Sequence, residues 1–147
     1  MRTYAGDYQY GKTIEAKCKP HFEKELGIEL IEQPRYSFFD LIDANNTIYV
    51  EVKGRNAYYR SYPTLYMNKD KILIAKENKI TNPTRRYFFA FHLHDGIFYT
   101  EYDAERFDSY GEDTVQRWDR DCLQPPTTIV HIPVGDLKHL NMPSNII

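Results

Sequence analysis

The sequence predicts a single α/β (α+β) domain built on a central mixed β-sheet flanked by helices, and three observations lead there. An apolar stripe of Ile14, Cys18, Phe22 and Leu26 recurs every four residues and marks a first helix. Two runs rich in β-branched and aromatic residues, 36–55 and 87–102, are each split by turn-forming residues and so read as strand hairpins. Between them, 70–77 has the pattern of a second helix, with Asp70 favouring its N-terminus. At 147 residues the chain has room for one core and not for two.

Residues 1–10 show no clear period. The first helix is expected over 11–26, stopped by Gly27, with Pro20 either kinking it or splitting it in two. Residues 28–32 read as a short strand or the tail of the turn, and Pro34 separates them from the first hairpin. Asn45-Asn46 is the expected turn of that hairpin, since asparagine tolerates positive φ. Residues 54–63 read as a loop and 64–67 as a third strand, followed by the second helix with Ile72, Leu73 and Ala75 toward the core. The second hairpin pairs 87–93 with 97–102 around Asp95-Gly96, a type I′ signal. Residues 103–121 are expected as helix and loop around Trp118, Gln124-Pro125-Pro126 as a break, Thr127–Pro133 as a strand and 135–140 as a final turn. Repeats and low-complexity segments are absent.

The chemistry concentrates in the first hairpin. With Asn45-Asn46 as the central turn residues, facing positions have numbers that add to 91, so Asp40 sits across from Glu51. Facing Cβ atoms lie roughly 5 Å apart with side chains on one face. Lys53, two residues on, shares that face, while Ile48, Val50 and Val52 form the opposite, apolar one. Glu51 is therefore expected to be half-buried, and a carboxylate there needs a cationic partner or a metal. Two close carboxylates repel unless a cation sits between them. Oxygen ligands with open positions suit Mg²⁺, which keeps waters and binds through one or two carboxylates plus substrate phosphate.

An Asp, a hairpin, then Glu-x-Lys resembles the signature of the PD-(D/E)XK nuclease superfamily, carried here by Phe39-Asp40 and Glu51-Val52-Lys53, with Phe39 where the namesake proline often stands. The resemblance implies a restriction-endonuclease-like core in αβββαβ order over about 12–93, leaving 94–147 as accessory elements. It implies a divalent-metal-dependent endonuclease that hydrolyses phosphodiester bonds in DNA, with Mg²⁺ as cofactor and Mn²⁺ able to substitute. Asp40 and Glu51 would hold the metal, and the Val52 carbonyl could add a ligand. A glutamate of the first helix commonly joins such sites. Glu15, which borders the apolar stripe, is the position assigned, with Glu23 and Glu25 as competitors. Lys53 would position the attacking water and stabilise charge. Lys69 and Lys71, at the entry to the second helix, stand where an extra basic residue is often found near the scissile phosphate.

Net charge is −2, with 19 basic against 21 acidic residues, so no global basic field announces a nucleic-acid partner. Its distribution says more: the net charge is −3 over 1–52, +7 over 53–86 and −6 over 87–147. A basic block that begins at Lys53 can steer a polyanion even in an acidic protein. Arg55, Arg60, Lys69, Lys71, Arg85 and Arg86 are the candidate phosphate contacts, and the Arg and Tyr interleaved over 55–62 suit a strand of nucleic acid. Most of the thirteen tyrosines are expected to fill the core and its rim. His92 and His94 share strand spacing but have no third ligand in register, so they read as hairpin surface positions. Cys18 and Cys122 show no ligand spacing, and no apolar run reaches membrane length, so an intracellular (cytoplasmic) protein and no membrane partner are expected. A homodimer is expected because small nucleases that cut both strands are usually symmetric, and the size and tyrosine content suit a bacteriophage or mobile element. The rival readings are a catalytically silent nucleic-acid-binding domain of the same fold and a protein-interaction module in which Asp40, Glu51 and Lys53 form an ion-pair cluster.

Overall fold

The computed structural model describes residues 3–116 and 125–140. The first helix, α1, spans Tyr4–Leu26 and starts seven residues before the expected start at Gly11, because Thr3 caps it: its hydroxyl accepts from the Gly6 N–H at 3.0 Å. Pro20 does not split α1 into two helices. It lies on the exposed side, as does Ala16, whose carbonyl loses its helical partner and can turn to water. Gly27, at φ 65°, closes the helix with its N–H on the Glu23 carbonyl.

Three strands follow: β1 (Leu30–Glu32), β2 (Leu41–Asp43) and β3 (Ile48–Gly54). The β2–β3 register, Leu41 opposite Val50 and Ile42 opposite Tyr49, is the one the sequence predicts. Its turn is wider than predicted. Only Asn46 has a positive φ (55°), and the Asp43 carboxylate closes the connection by accepting from the Thr47 hydroxyl and from the N–H groups of Thr47 and Ile48. Next come β4 (Thr64–Asn68), α2 (Lys69–Thr81), β5 (Arg86–Leu93) and β6 (Gly96–Glu101). The β5–β6 turn is His94-Asp95 rather than Asp95-Gly96: Leu93 faces Gly96, which at φ 145° begins the return strand, and Asp95 is held by the Tyr59 N–H. The last elements are α3 (Ala104–Asp108), β7 (Glu112–Val115), β8 (Thr127–Pro133), a short 3₁₀ turn over Val134–Asp136, and β9 (Lys138–His139). Trp118 and Cys122 lie outside the described residues.

The main sheet has six strands in the order β1-β2-β3-β5-β6-β9, with β3 and β5 parallel and every other pair antiparallel. It is the central mixed sheet predicted, and the helix, three strands, helix, strand order is present. The third strand differs from the expectation. The weak segment at 30–32 takes that place as β1, whereas β4 leaves the sheet to pair with β8 in a second, three-stranded sheet, β4-β8-β7.

The period-2 alternation of β3 and β5 sends side chains to two cores. Val50, Val52, Phe88 and Ala90 pack under Ile14, Cys18 and Phe22 of α1. On the other face Tyr49, Tyr87, Phe89 and Phe91 meet Leu65 and Met67 of β4, Ile72 and Ala75 of α2, and Val130 and Ile132 of β8. Leu73, expected inside, is on the outer side of α2. The tyrosines divide between the two uses: Tyr49, Tyr87, Tyr99 and Tyr102 are buried, while Tyr10, Tyr36, Tyr58, Tyr62 and Tyr66 are exposed. No helix among the described residues is long and apolar enough to cross a membrane.

Candidate active site

Asp40 stands one residue before β2 and is fixed at both ends. Its N–H donates to the Val50 carbonyl at 3.0 Å, and its Oδ2 accepts the Val52 N–H at 2.8 Å. Its neighbour Phe39 is buried, with ring centroids 5.7 Å from Tyr49, 5.3 Å from Tyr87 and 6.3 Å from Phe89. A core aromatic thus anchors the carboxylate that follows it.

Across the hairpin, Glu51 is 1 % exposed, more deeply buried than the half-buried position predicted. The reason is topological: β3 is an inner strand with β2 on one side and β5 on the other, and α2 brings a lysine over the face. Glu51 Oε2 is 3.3 Å from Lys53 Nζ, and Oε1 is 3.7 Å from Lys71 Nζ. Oε1 is nevertheless a buried oxygen with no hydrogen bond. Burial first, then the charge of Asp40, push the Glu51 carboxyl up to about 8, against the opposing pull of Lys53 and Lys71.

Glu15, on α1, is buried and faces the same cleft. It pairs with Lys12 at 3.2 Å, and Lys12 Nζ also donates to the Gln33 carbonyl at 2.7 Å. Burial first and Asp40 second raise Glu15 to about 7. Its two competitors are occupied elsewhere: the Glu23 carboxylate accepts the Leu30 N–H at 2.8 Å, and Glu25 accepts from the Tyr99 hydroxyl at 3.3 Å.

Glu15, Asp40, Glu51, Val52, Lys53, Arg55 and Lys71 line one cleft of about 370 Å³. Of the two lysines at the entry to α2, only Lys71 reaches it, donating also to the Phe38 carbonyl. Lys69, two residues back on a helix and therefore facing another way, pairs with Glu112 at 2.8 Å. Arg55 sits on the rim, with its guanidinium on the Tyr66 carbonyl at 2.9 Å and 4.3 Å from the Tyr66 ring centroid. Arg60 is exposed on the 55–63 loop and does not line the cleft. Arg85 and Arg86 belong to the opposite end of the sheet, because parallel pairing sets Arg86 beside Ile48 and Lys53 beside Phe91. Arg86 is also held bidentately by Glu101 at 2.9 and 2.8 Å. Lys12 and Arg35 line the cleft unanticipated; no motif marks them, and only the helical spacing of Lys12 from Glu15 offered a signal. His92 is half-buried, and His94 lies in the hairpin turn, its Nε2 2.6 Å from the Asn56 amide oxygen.

Among the described residues no three His, Cys, Asp or Glu side chains converge closely enough to hold a metal ion by themselves. The donors present still suit one hard cation. Asp40, just before β2, and Glu51, on β3, present carboxylate oxygens to the cleft, one Glu51 oxygen lacks a hydrogen-bond donor, and burial and the charge of Asp40 keep Glu51 and Glu15 from ionising freely.

No family model and no curated protein matches the chain. Among solved structures it is similar to that of Archaeoglobus fulgidus Hjc, a Holliday junction resolvase from an archaeal hyperthermophile, at 12 % identity and a TM-score of 0.47, covering 86 % of this chain and 93 % of that one. Overlap and identity at this level assign no role to any residue, and the chemistry is read from the cleft itself.

Proposed function

We propose that the protein is a divalent-metal-dependent endonuclease that hydrolyses phosphodiester bonds in DNA. The observation that carries the reading is the setting of Glu51: a fully buried carboxylate beside Asp40, bracketed by Lys53 and Lys71, with one oxygen lacking a hydrogen bond. The two lysines do not fully offset the burial and the neighbouring carboxylate, so a structural role alone accounts for the arrangement poorly. Asp40 and Glu51 would hold Mg²⁺, with Mn²⁺ able to replace it, and Glu15 and the Val52 carbonyl are the further donors. When bound, the ion lowers the pKa of a water and offsets charge developing on the phosphate.

The chain's own residues supply the rest. The Val52 N–H keeps Asp40 oriented, as its 2.8 Å bond supports. Lys53, partly exposed at the mouth, orients the attacking water and takes up charge in the transition state. Lys71 offers a second cation to the phosphate from the α2 side. Glu15, buried at the cleft and paired with Lys12 at 3.2 Å, is positioned on the α1 side of the same site. Arg55, Lys12 and Arg35 on the rim are the phosphate-facing cations this geometry favours, and Arg60 extends them along the loop.

The reading is tested with supercoiled plasmid, linear duplex, single-stranded and four-way-junction DNA, each in Mg²⁺, Mn²⁺ or chelator. Cleavage that requires the metal is expected. DNA retarded in a gel but never cut would favour the silent binding domain, and neither binding nor cutting would favour an interaction module.

A further inference from the structure

The β1–β2 connection projects aromatic rings into solvent beside the cleft. Tyr36 is 91 % exposed and Phe38 64 %, although Phe39 between Phe38 and Asp40 is buried. Leaving such side chains in water forgoes the hydrophobic gain of burying them.

The segment is also braced. The Gln33 N–H donates to the Asp40 carbonyl at 3.0 Å and closes its base, and the Ser37 N–H donates to the Pro34 carbonyl at 3.0 Å and makes a turn with Tyr36 at its tip. Lys12 holds the Gln33 carbonyl at 2.7 Å, Lys71 holds the Phe38 carbonyl, and Arg35 lies 4.9 Å from the Tyr8 ring centroid. Two lysines thus clamp the base of an aromatic projection whose rings stay exposed, and Arg35, within its turn, ties it to α1. Phe38 is two residues from Asp40, which limits their Cα separation to roughly 7 Å, and its ring centroid is 5.9 Å from Lys71 Nζ.

We infer that Tyr36 and Phe38 are a stacking finger for an unstacked base next to the phosphate held by Lys71 and Lys12, so that the preferred substrate is DNA with unpaired bases at the cut site. The inference rests on the DNA-cleaving reading above and names its substrate class. Cations at the base of the finger match phosphates, and flat rings at its tip match base faces. Stacking a base on an aromatic side chain is favourable and tolerant of sequence, because every base has a π-face. Extracting a base from intact duplex costs unstacking and unpairing energy that offsets that gain, whereas an already unpaired base brings it in full.

The test uses the full chain, in chelator so that nothing is cut, with 2-aminopurine at the unpaired position of a forked duplex and at the matching position of an uninterrupted duplex. Wild type is expected to quench the forked probe and to bind it about tenfold more tightly than the duplex. The Tyr36→Ala/Phe38→Ala protein should lose both the quenching and the preference while binding uninterrupted duplex as wild type does. Tyr36→Phe should keep both. Because both rings are exposed, the double variant should melt no lower than wild type. Equal affinity for the two probes, or quenching that survives the double substitution, would overturn the inference. The nuclease reading fails separately: quenching without metal-dependent cleavage of any DNA sinks that reading and leaves the finger standing, and cleavage without quenching does the reverse.

Discussion

Glu51 shows at the residue scale how burial and charge pull against each other. A carboxylate 1 % exposed beside a second one is held up to about 8, against an ordinary value of 4.5. Between those values the folded metal-free protein keeps a proton that the unfolded chain releases, so stability falls as pH rises through that window. Glu15, raised to about 7, adds in the same direction over the lower part of it. Thermal melts in chelator should therefore show Tm declining from about pH 5 to pH 8, each retained proton costing roughly 1.4 kcal/mol for every pH unit crossed. Glu51→Gln should flatten most of the decline; a Tm that climbs across the window would contradict the burial argument. The lysines give a second prediction: Lys71→Ala should slow cleavage roughly tenfold to a hundredfold, while Lys69→Ala leaves initial rates near wild type. Asp40, Glu51 and Lys53 were legible in the sequence because strand pairing and pleat follow from simple arithmetic. Choosing Lys71 over Lys69 was not, because it depends on the azimuth at which α2 docks, which no local pattern encodes.

Among the elements, α1 and β3 set the spacing of the site. Gly54, at the end of β3, touches the helix so closely that an added Cβ would come within 2.5 Å of the Ile14 Cδ1 and 3.3 Å of the Tyr10 ring. Ile14 precedes Glu15, so anything that lifts the helix moves that carboxylate. Gly54→Ala should cost about 1–3 kcal/mol in urea unfolding and lower cleavage together with stability. A neutral outcome would mean that Ile14 swings aside and the contact does not fix α1. The apolar stripe from Ile14 to Leu26 made most of this helix readable, but its first turns depend on a single cap at Thr3. The second hairpin was legible as a hairpin and mistaken in register, because its Asp95-Gly96 signal competes with the Tyr59–Asp95 contact, which is long-range.

At the scale of the molecule, the central sheet separates two cores, and Asp40, Glu51 and Glu15 line a polar cleft beside them. The basic stretch from Lys53 to Arg86 looked like one electropositive surface, and parallel pairing of β3 with β5 divides it between the two ends of the sheet. Arg86→Ala should leave cleavage unchanged and cost no more than about 1 kcal/mol, the usual worth of an exposed pair, since its partner is Glu101. A marked loss of DNA cleavage would mean the substrate wraps to that end. The second sheet was out of reach of a linear reading: β4 and β8 pair from distant parts of the chain, and nothing local in 64–68 distinguishes a strand of one sheet from a strand of the other.

The proposed function requires that Glu51 be buried beside Asp40 for chemistry rather than for folding, and one comparison tests that claim. It sets the Mg²⁺-dependent cleavage rate of the Glu51→Gln protein beside its melting temperature in chelator at pH 8. A folded protein is expected, at least as stable as wild type, whose cleavage falls by about a hundredfold or more. A folded Glu51→Gln protein that cuts DNA at the wild-type rate would show that the buried carboxylate serves the fold alone.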